Sequence, residues 1–154
     1  MKYIFILSFI INSLLSAQEL KIEAAYFSAD ESKGISIFDG NVSIIKHHDE
    51  LKASKLTIYT DKENKPTKFI AVGNVSFKIE TDSKAQYEGK ANKVIFIAKD
   101  QEYRFYKNVY LKQVNEKKEI QGDEVVLNIA SGKAHAKGIN KGPVIMIFDM
   151  AEKE

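Results

Sequence analysis

The residues best suited to acid–base or metal chemistry form one short cluster, His47-His48-Asp49-Glu50. Imidazole and carboxylate groups bind zinc and related ions. Adjacent residues of a strand point to opposite faces, so the two histidines cannot easily share one ion. His135 stands elsewhere with no partner of identifiable role, and the sequence has no cysteine, which excludes disulfides and thiolate sites. We therefore predict a solvated turn at the cluster, with no metal and no cofactor.

The rest of the composition argues against an enzyme and against a nucleic-acid-binding protein. Carboxylates are spread singly among lysines, and no glycine-rich phosphate loop, nucleophile elbow or paired-acid arrangement occurs. The 23 basic and 21 acidic residues are well mixed and leave a net charge of +2, without the basic excess that nucleic acid requires. With 154 residues, 44% of them hydrophobic, the chain predicts one globular domain and no catalytic residues.

The first 17 residues are typical of a secretory signal peptide. Lys2 precedes an apolar run from Ile4 to Ile11, and small residues follow up to Ala17. The run is shorter than the roughly 20 residues that a membrane-spanning helix needs. We predict cleavage after Ala17, a domain over 18–149 and a polar tail over 150–154. The alternatives are a buried N-terminal helix or retention of the segment as an anchor.

The positioning elements follow from an internal repeat. Gly40-Asn41-Val42 recurs as Gly73-Asn74-Val75 and weakly as Lys107-Asn108-Val109. A second element recurs over 51–58, 89–96 and 120–127, with an opening copy over 22–27. Because the two elements alternate at nearly constant spacing, the pattern indicates a duplicated two-strand unit.

Within each unit apolar and polar residues alternate with a period of two, which indicates strands with one apolar face. We predict an all-β, antiparallel sandwich or jelly roll built from these units. The residues expected on its inner face are Leu20, Ile22, Phe27, Phe38, Val42, Ile44, Leu56, Ile58, Val75, Phe77, Val94, Phe96, Phe105, Val109, Leu111, Val125, Leu127 and Ile129. They form either an ordinary core or the lining of an apolar groove, and alternation alone cannot separate the two.

The segment 142–148 is apolar in both phases and is followed by charged residues. As the last strand of a meander it is a candidate sheet edge, and an exposed apolar edge favours strand addition by a partner. The alternative is a last strand tucked into the core.

Residues 19–149 resemble the LptA/OstA family, the periplasmic lipopolysaccharide-transport proteins of Gram-negative bacteria. The matching segments, in order, are 20–24, 38–42, 51–56, 73–75, 120–125 and 141–144. The sequence departs from the family at Lys107, where glycine is expected. It also has Ser54-Lys55 and Asn92-Lys93 where Asp-Lys is frequent.

The resemblance implies a bent, taco-like β-jelly-roll whose inner face receives the acyl chains of lipid A. It also implies head-to-tail assembly between an LptC-like inner-membrane component and an LptD-like outer-membrane component. The docking positions carried over are Leu20 and Ile22 at the first strand, and Val144, Ile145, Met146, Ile147 and Phe148 at the last. The alternatives are an LptC-like membrane-anchored relative and a ligand-free periplasmic scaffold domain.

Burial of acyl chains yields roughly 0.8 kcal/mol per CH₂ group. A conduit must also release its lipid, so we expect an open-sided groove. Lysines expected at its rim are Lys21, Lys46 and Lys107, either for lipid phosphates or for solubility.

Overall fold

The computed structural model describes residues 19–138, 140 and 142–150, so the predicted signal segment and residues 151–154 lie outside the described residues. The described residues form ten strands, with no helix among them. Their bounds are β1 Leu20–Glu23, β2 Tyr26–Asp30, β3 Ile35–Lys46, β4 Asp49–Thr60, β5 Pro66–Glu80, β6 Gln86–Ile97, β7 Glu102–Gln113, β8 Lys118–Asn128, β9 Ala134–Lys137 and β10 Ile145–Phe148.

All ten strands belong to one sheet in which every pairing is antiparallel. The order is β1-β3-β4-β5-β6-β7-β8-β10, while β2 also pairs with β3 and β9 with β8. The short strands therefore flank the long ones in pairs, β1 and β2 at the N-terminal edge and β9 and β10 at the C-terminal edge. The all-β prediction is confirmed, with one folded sheet in place of two separate ones.

The repeated Gly-Asn pair is where the long strands bend. The register shifts at this point in every pairing from β3 to β8, as a line of bulges across the sheet. The bulge residues with positive φ are Gly40, Asn41, Gly73, Asn74, Lys107 and Asn108. Glycine adopts this backbone without a steric cost. At Gly73 a Cβ would also lie 2.6 Å from Ser54 Oγ, so the close approach of β4 requires glycine there.

The bend divides the sheet into two facing layers. The β1 layer contains β1, β10 and the strand segments 42–46, 49–52, 75–80, 86–90, 109–113 and 118–122. The β2 layer contains β2, β9 and the segments 35–39, 55–60, 66–72, 93–97, 102–106 and 124–128. We call the space between the layers the trough. The turns that connect the long strands lie along its two rims, opposite the bend.

Most of the residues expected on the inner face do form the core. The buried ones are Val42, Ile44, Leu56, Ile58, Val75, Phe77, Val94, Phe96, Phe105, Val109, Leu111, Val125, Leu127 and Ile129. Ile22 and Phe38 are partly buried against them. Seven other buried apolar or aromatic residues were not in the expected set, namely Ala53, Ala71, Ile79, Tyr87, Ala91, Tyr103 and Ile120.

Candidate functional site

Two rows of inward-facing positions line the trough, one from each layer. Strand register places the members of each row directly opposite one another on successive strands. The row of the β1 layer is Ile22, Ile44, Leu51, Phe77, Gly89, Leu111, Ile120 and Met146. The row of the β2 layer is Phe27, Phe38, Leu56, Ala71, Val94, Phe105, Val125 and Ala136. The trough therefore has an apolar lining from one edge of the sheet to the other.

The centre of the trough is closed by side-chain packing. The rings of Phe77 and Phe105 lie 4.4 Å apart across the two layers, and Phe105 and Leu111 are 0% exposed. Burial of this extent leaves no room between the layers for a further group. The centre differs in this respect from the open-sided groove that we expected, because aromatic side chains from both layers fill the space.

The ends of the trough are uncovered. At the N-terminal end Phe27 is 63% exposed and Leu20 is 36% exposed, although both were expected in the interior. Phe27 does share the inner phase, since it pairs with Phe38 and their rings lie 5.0 Å apart. At the C-terminal end Met146 and Phe148 are 47% and 57% exposed.

An offset between the two layers explains the exposure of Phe27, Met146 and Phe148. Lys46 of β3 contacts Phe96 of β6, and Asp49 of β4 contacts Tyr103 of β7, so each contact joins strands three apart in the chain. The N-terminal strands of the β2 layer and the C-terminal strands of the β1 layer therefore extend past their facing layer. Phe27 and Phe148 lie on these two overhangs.

A small cavity remains between the layers towards the N-terminal end. Its volume is about 40 Å³. Its lining residues are Leu20, Ile44, Lys46, Asp49, Glu50, Leu51, Phe69, Ile79, Phe96 and Tyr103. A cavity needs about 10–15 Å³ to hold one water molecule. An acyl chain is far larger than this cavity and can only be accommodated if the layers part.

A polar contact closes the rim beside this cavity. The Tyr103 hydroxyl donates to Asp49 Oδ2 at 2.8 Å, and Asp49 Oδ1 accepts the Glu80 N–H at 3.0 Å. Burial raises the pKa of Asp49, although both hydrogen bonds and the nearby Lys46 ammonium act in the opposite direction. Burial, and then the Asp49 carboxylate, raise the pKa of Tyr103 well above its usual range, so the phenol keeps its proton.

The histidine cluster forms the turn between β3 and β4, where His47 and His48 are exposed and their rings lie 4.2 Å apart. Asp49 and Glu50 already belong to β4 and are partly buried. No group of three or more potential metal ligands occurs in the part of the chain that the structure describes. His135 pairs with Val126, on the outer face of the β2 layer.

Of the three lysines expected at the rim, one lies at the trough. Lys46 Nζ lies 4.5 Å from the centre of the Phe96 ring, in a cation–π contact at the cavity. Lys21 pairs with the outward-facing Ile45 and forms an exposed ion pair with Glu23. Lys107 lies on the bend with a φ of 63°.

The segment expected to dock a partner is an exposed edge strand. β10 pairs with β8 on one side, and Ile145, Met146, Ile147 and Phe148 are 47–57% exposed. Met146 is opposite the inward-facing Ile120, so Met146 and Phe148 face the trough while Ile145 and Ile147 face outward. Val144, just before the strand, packs against the core.

No helix long and apolar enough to cross a membrane occurs in residues 19–138, 140 and 142–150.

This fold, a bent antiparallel sheet with open edges and an apolar inner face, defines a jelly-roll-like β-protein. The chain belongs to the family described as LptA/(LptD N-terminal domain) LPS transport protein, which matches residues 21–133. Among solved structures it is similar to LptH, the LptA homologous periplasmic component of the lipopolysaccharide transport device from Pseudomonas aeruginosa. The TM-score is 0.75 at 14% identity, over 86% of this chain and 96% of that chain. No curated protein matches the sequence.

Proposed function

We propose that this protein is a non-enzymatic bridge component that carries lipopolysaccharide across the periplasm, with the acyl chains against the inner face of the trough. The observation that carries the proposal is the pair of apolar rows that run from edge to edge and are uncovered at both ends. Membership of a lipopolysaccharide-transport family supports it.

The energetics favour an acyl ligand on the uncovered ends first. Phe27 and Phe148 already expose apolar surface to water, and contact with an acyl chain removes that surface at about 25 cal/mol per Å². Access to the centre requires in addition that the contact between Phe77 and Phe105 is broken. Partial burial of the lipid leaves its release possible.

The edge strands support head-to-tail assembly by strand addition. β10 presents an exposed apolar edge, and β1 and β2 form the opposite edge of the same sheet. If β10 of one copy met β1 of the next, at Leu20 and Ile22, the inner rows of the two copies would continue each other. The same edges would meet an LptC-like inner-membrane component and an LptD-like outer-membrane component.

Photo-crosslinking tests the lipid site with an internal control. Phe27 and Tyr26 are adjacent and 63% and 75% exposed, but Phe27 faces the trough and Tyr26 faces outward. With a photoreactive phenylalanine at each position, we expect lipopolysaccharide to label position 27 and to leave position 26 unlabelled. Equal labelling, or none at position 27, contradicts the proposal.

The sealed centre and the 40 Å³ cavity favour one alternative, a ligand-free periplasmic scaffold domain. That alternative predicts no labelling at either position while the protein remains folded.

Substitutions on β10 test the assembly. Ile147→Asp should leave the monomer folded and shorten the oligomers on a sizing column, because a charge on the edge disfavours strand addition. Val114→Asp is the matched control, since Val114 is 41% exposed but lies beyond the end of β7, in a turn. Unchanged oligomers in Ile147→Asp would refute docking through β10.

Export with cleavage after Ala17 is part of the proposal. Mass spectrometry of the exported protein should find Gln18 at the N-terminus. A retained N-terminal segment would favour the LptC-like anchored alternative.

A further inference from the structure

We infer that the hydrogen bond between Tyr103 and Asp49 is a clasp that holds the two layers together, and that an acyl chain must release it to reach the trough interior. We call this pair the rim clasp. The inference rests on the proposed function for its lipid part, whereas the closure of the layers is a property of the protein alone.

The position of the rim clasp carries the argument. Asp49 is the first residue of β4 in the β1 layer, and Tyr103 lies near the start of β7 in the β2 layer, 54 residues later. Their 2.8 Å hydrogen bond therefore crosses the trough directly. Both residues line the apolar cavity, which also reaches the uncovered Leu20. The clasp thus lies between the uncovered N-terminal end and the sealed centre.

Both partners are held in place by their own layers. Asp49 is fixed by the Glu80 N–H, and the Tyr103 ring lies 4.6 Å from Phe96 and 6.0 Å from Phe105. A hydrogen bond between such preordered groups costs little further conformational entropy. The charged and titratable groups that line the two pockets beside Asp49 are Lys46, His47, His48, Glu50, Glu80, Asp82 and Lys84.

A second contact across the rim does not involve side chains. The Asp82 N–H donates to the Ile129 carbonyl at 3.1 Å, between backbone groups. The turn that holds Asp82 is fixed by Thr81, which is 3% exposed and accepts the Ala85 N–H through its hydroxyl. The rim thus has a backbone bridge at the β5–β6 turn and a side-chain clasp beside the cavity.

Tyr103→Phe removes the hydroxyl and keeps the ring, and Tyr87→Phe is its matched control. Tyr87 is 7% exposed and Tyr103 is 6% exposed. The Tyr87 hydroxyl donates to Gln113 at 3.3 Å, within the β1 layer, so its loss breaks no contact between layers. Asp49→Asn, which keeps the shape of the side chain and removes its charge, is a second variant of the clasp.

Spin labels measure the separation of the layers without lipid. The chain has no cysteine, so labels attach only to introduced ones. One pair, His48→Cys with Lys99→Cys, spans the rim at the clasp, and a control pair, Lys84→Cys with Lys133→Cys, spans it at the backbone bridge. In Tyr103→Phe we expect about a tenfold larger population of long distances at the clasp, the effect of one lost charge-assisted hydrogen bond. The control pair, and both pairs in Tyr87→Phe, should not change.

The acyl probe is cis-parinaric acid, which fluoresces when its chain leaves water. Tyr103→Phe should take it up about tenfold faster than the wild type and than Tyr87→Phe. Unchanged distances at the clasp in both Tyr103→Phe and Asp49→Asn overturn the inference, as do wider distances with an unchanged uptake rate. If none of the proteins binds the probe, the proposed function and the lipid part of the inference fail, while the distances still decide the clasp.

Discussion

The centre and the ends of the trough have the same sequence pattern but different environments. Phe105 and Phe27 belong to the same row of inner residues on the β2 layer, yet Phe105 is 0% and Phe27 is 63% exposed. The difference arises because the layers are offset, so the first strands of one layer have no facing strands. The same alternating residues thus stabilise the fold in the centre and stay exposed to water at the ends, where we propose that lipid binds.

The largest difference in stability is expected when one phenylalanine is truncated in each region. Phe105→Ala should lower the free energy of unfolding by about 3–5 kcal/mol, because it leaves a cavity between Phe77 and Tyr103. Phe27→Ala should cost less than about 1 kcal/mol, because the ring is largely in water already. Urea denaturation of both variants measures the difference. Equal losses would show that the N-terminal end is packed like the centre.

The second-largest loss of stability is expected from a substitution at the bend. Gly73→Ala should cost about 2 kcal/mol, since φ is 88° and the new Cβ would crowd Ser54. The loss should appear in the urea midpoint. Ser76→Ala, a change three residues further along β5 on the outer face, should have almost no effect. A neutral Gly73→Ala would contradict the role of the Gly-Asn pair as the bend.

The sequence could predict the strands and most of the core, because period-two alternation reports directly which face a residue occupies. It also showed the Gly-Asn repeat, but not that this pair bends the strand, since Gly-Asn is equally typical of a hairpin turn. The backbone register of β3 to β8 was needed to distinguish the two.

The candidate site was only partly predictable. Asp49 stood out as part of a polar cluster, but its partner Tyr103 lies 54 residues away, and no local pattern connects them. The exposure of Phe27 depends on the offset between the layers, which alternation within one strand does not contain. The sequence pattern therefore predicted which face of the sheet a residue occupies, but not which residues of the other layer lie opposite it.

Asp49, which lies between the N-terminal end and the sealed centre, should make the stability of the protein depend on pH. Burial raises the pKa of Asp49 above its ordinary value of 3.8, so the folded state binds this proton more tightly than the unfolded state. The resulting stabilisation is fully present below pH 3.8 and is lost as the pH rises through the raised pKa of Asp49. The stability of the wild type relative to Asp49→Asn should therefore fall over this window. Parallel pH profiles from thermal denaturation would contradict a buried Asp49.

The smallest effect on stability is expected at Lys107, which stands where the other two repeats have glycine. Lys107 has a φ of 63°, so Lys107→Gly should stabilise the protein by about 0.5 kcal/mol, the relief of backbone strain less the entropy of glycine. Lys112→Gly, in the regular part of β7, should instead destabilise it. A loss of stability in Lys107→Gly would show that the lysine side chain has a stabilising contact of its own.

We propose that acyl chains occupy the inner face of the sheet, and isoleucine methyl groups can report this contact directly. Ile44 and Ile79 line the cavity, whereas Ile70 and Ile95 are opposite each other on the outer face of the β2 layer. With isoleucine-methyl-labelled protein and lipopolysaccharide, we expect nuclear Overhauser contacts from acyl-chain protons to Ile44 and Ile79 and none to Ile70 or Ile95. Contacts confined to the outer pair, Ile70 and Ile95, would contradict this placement of the acyl chains.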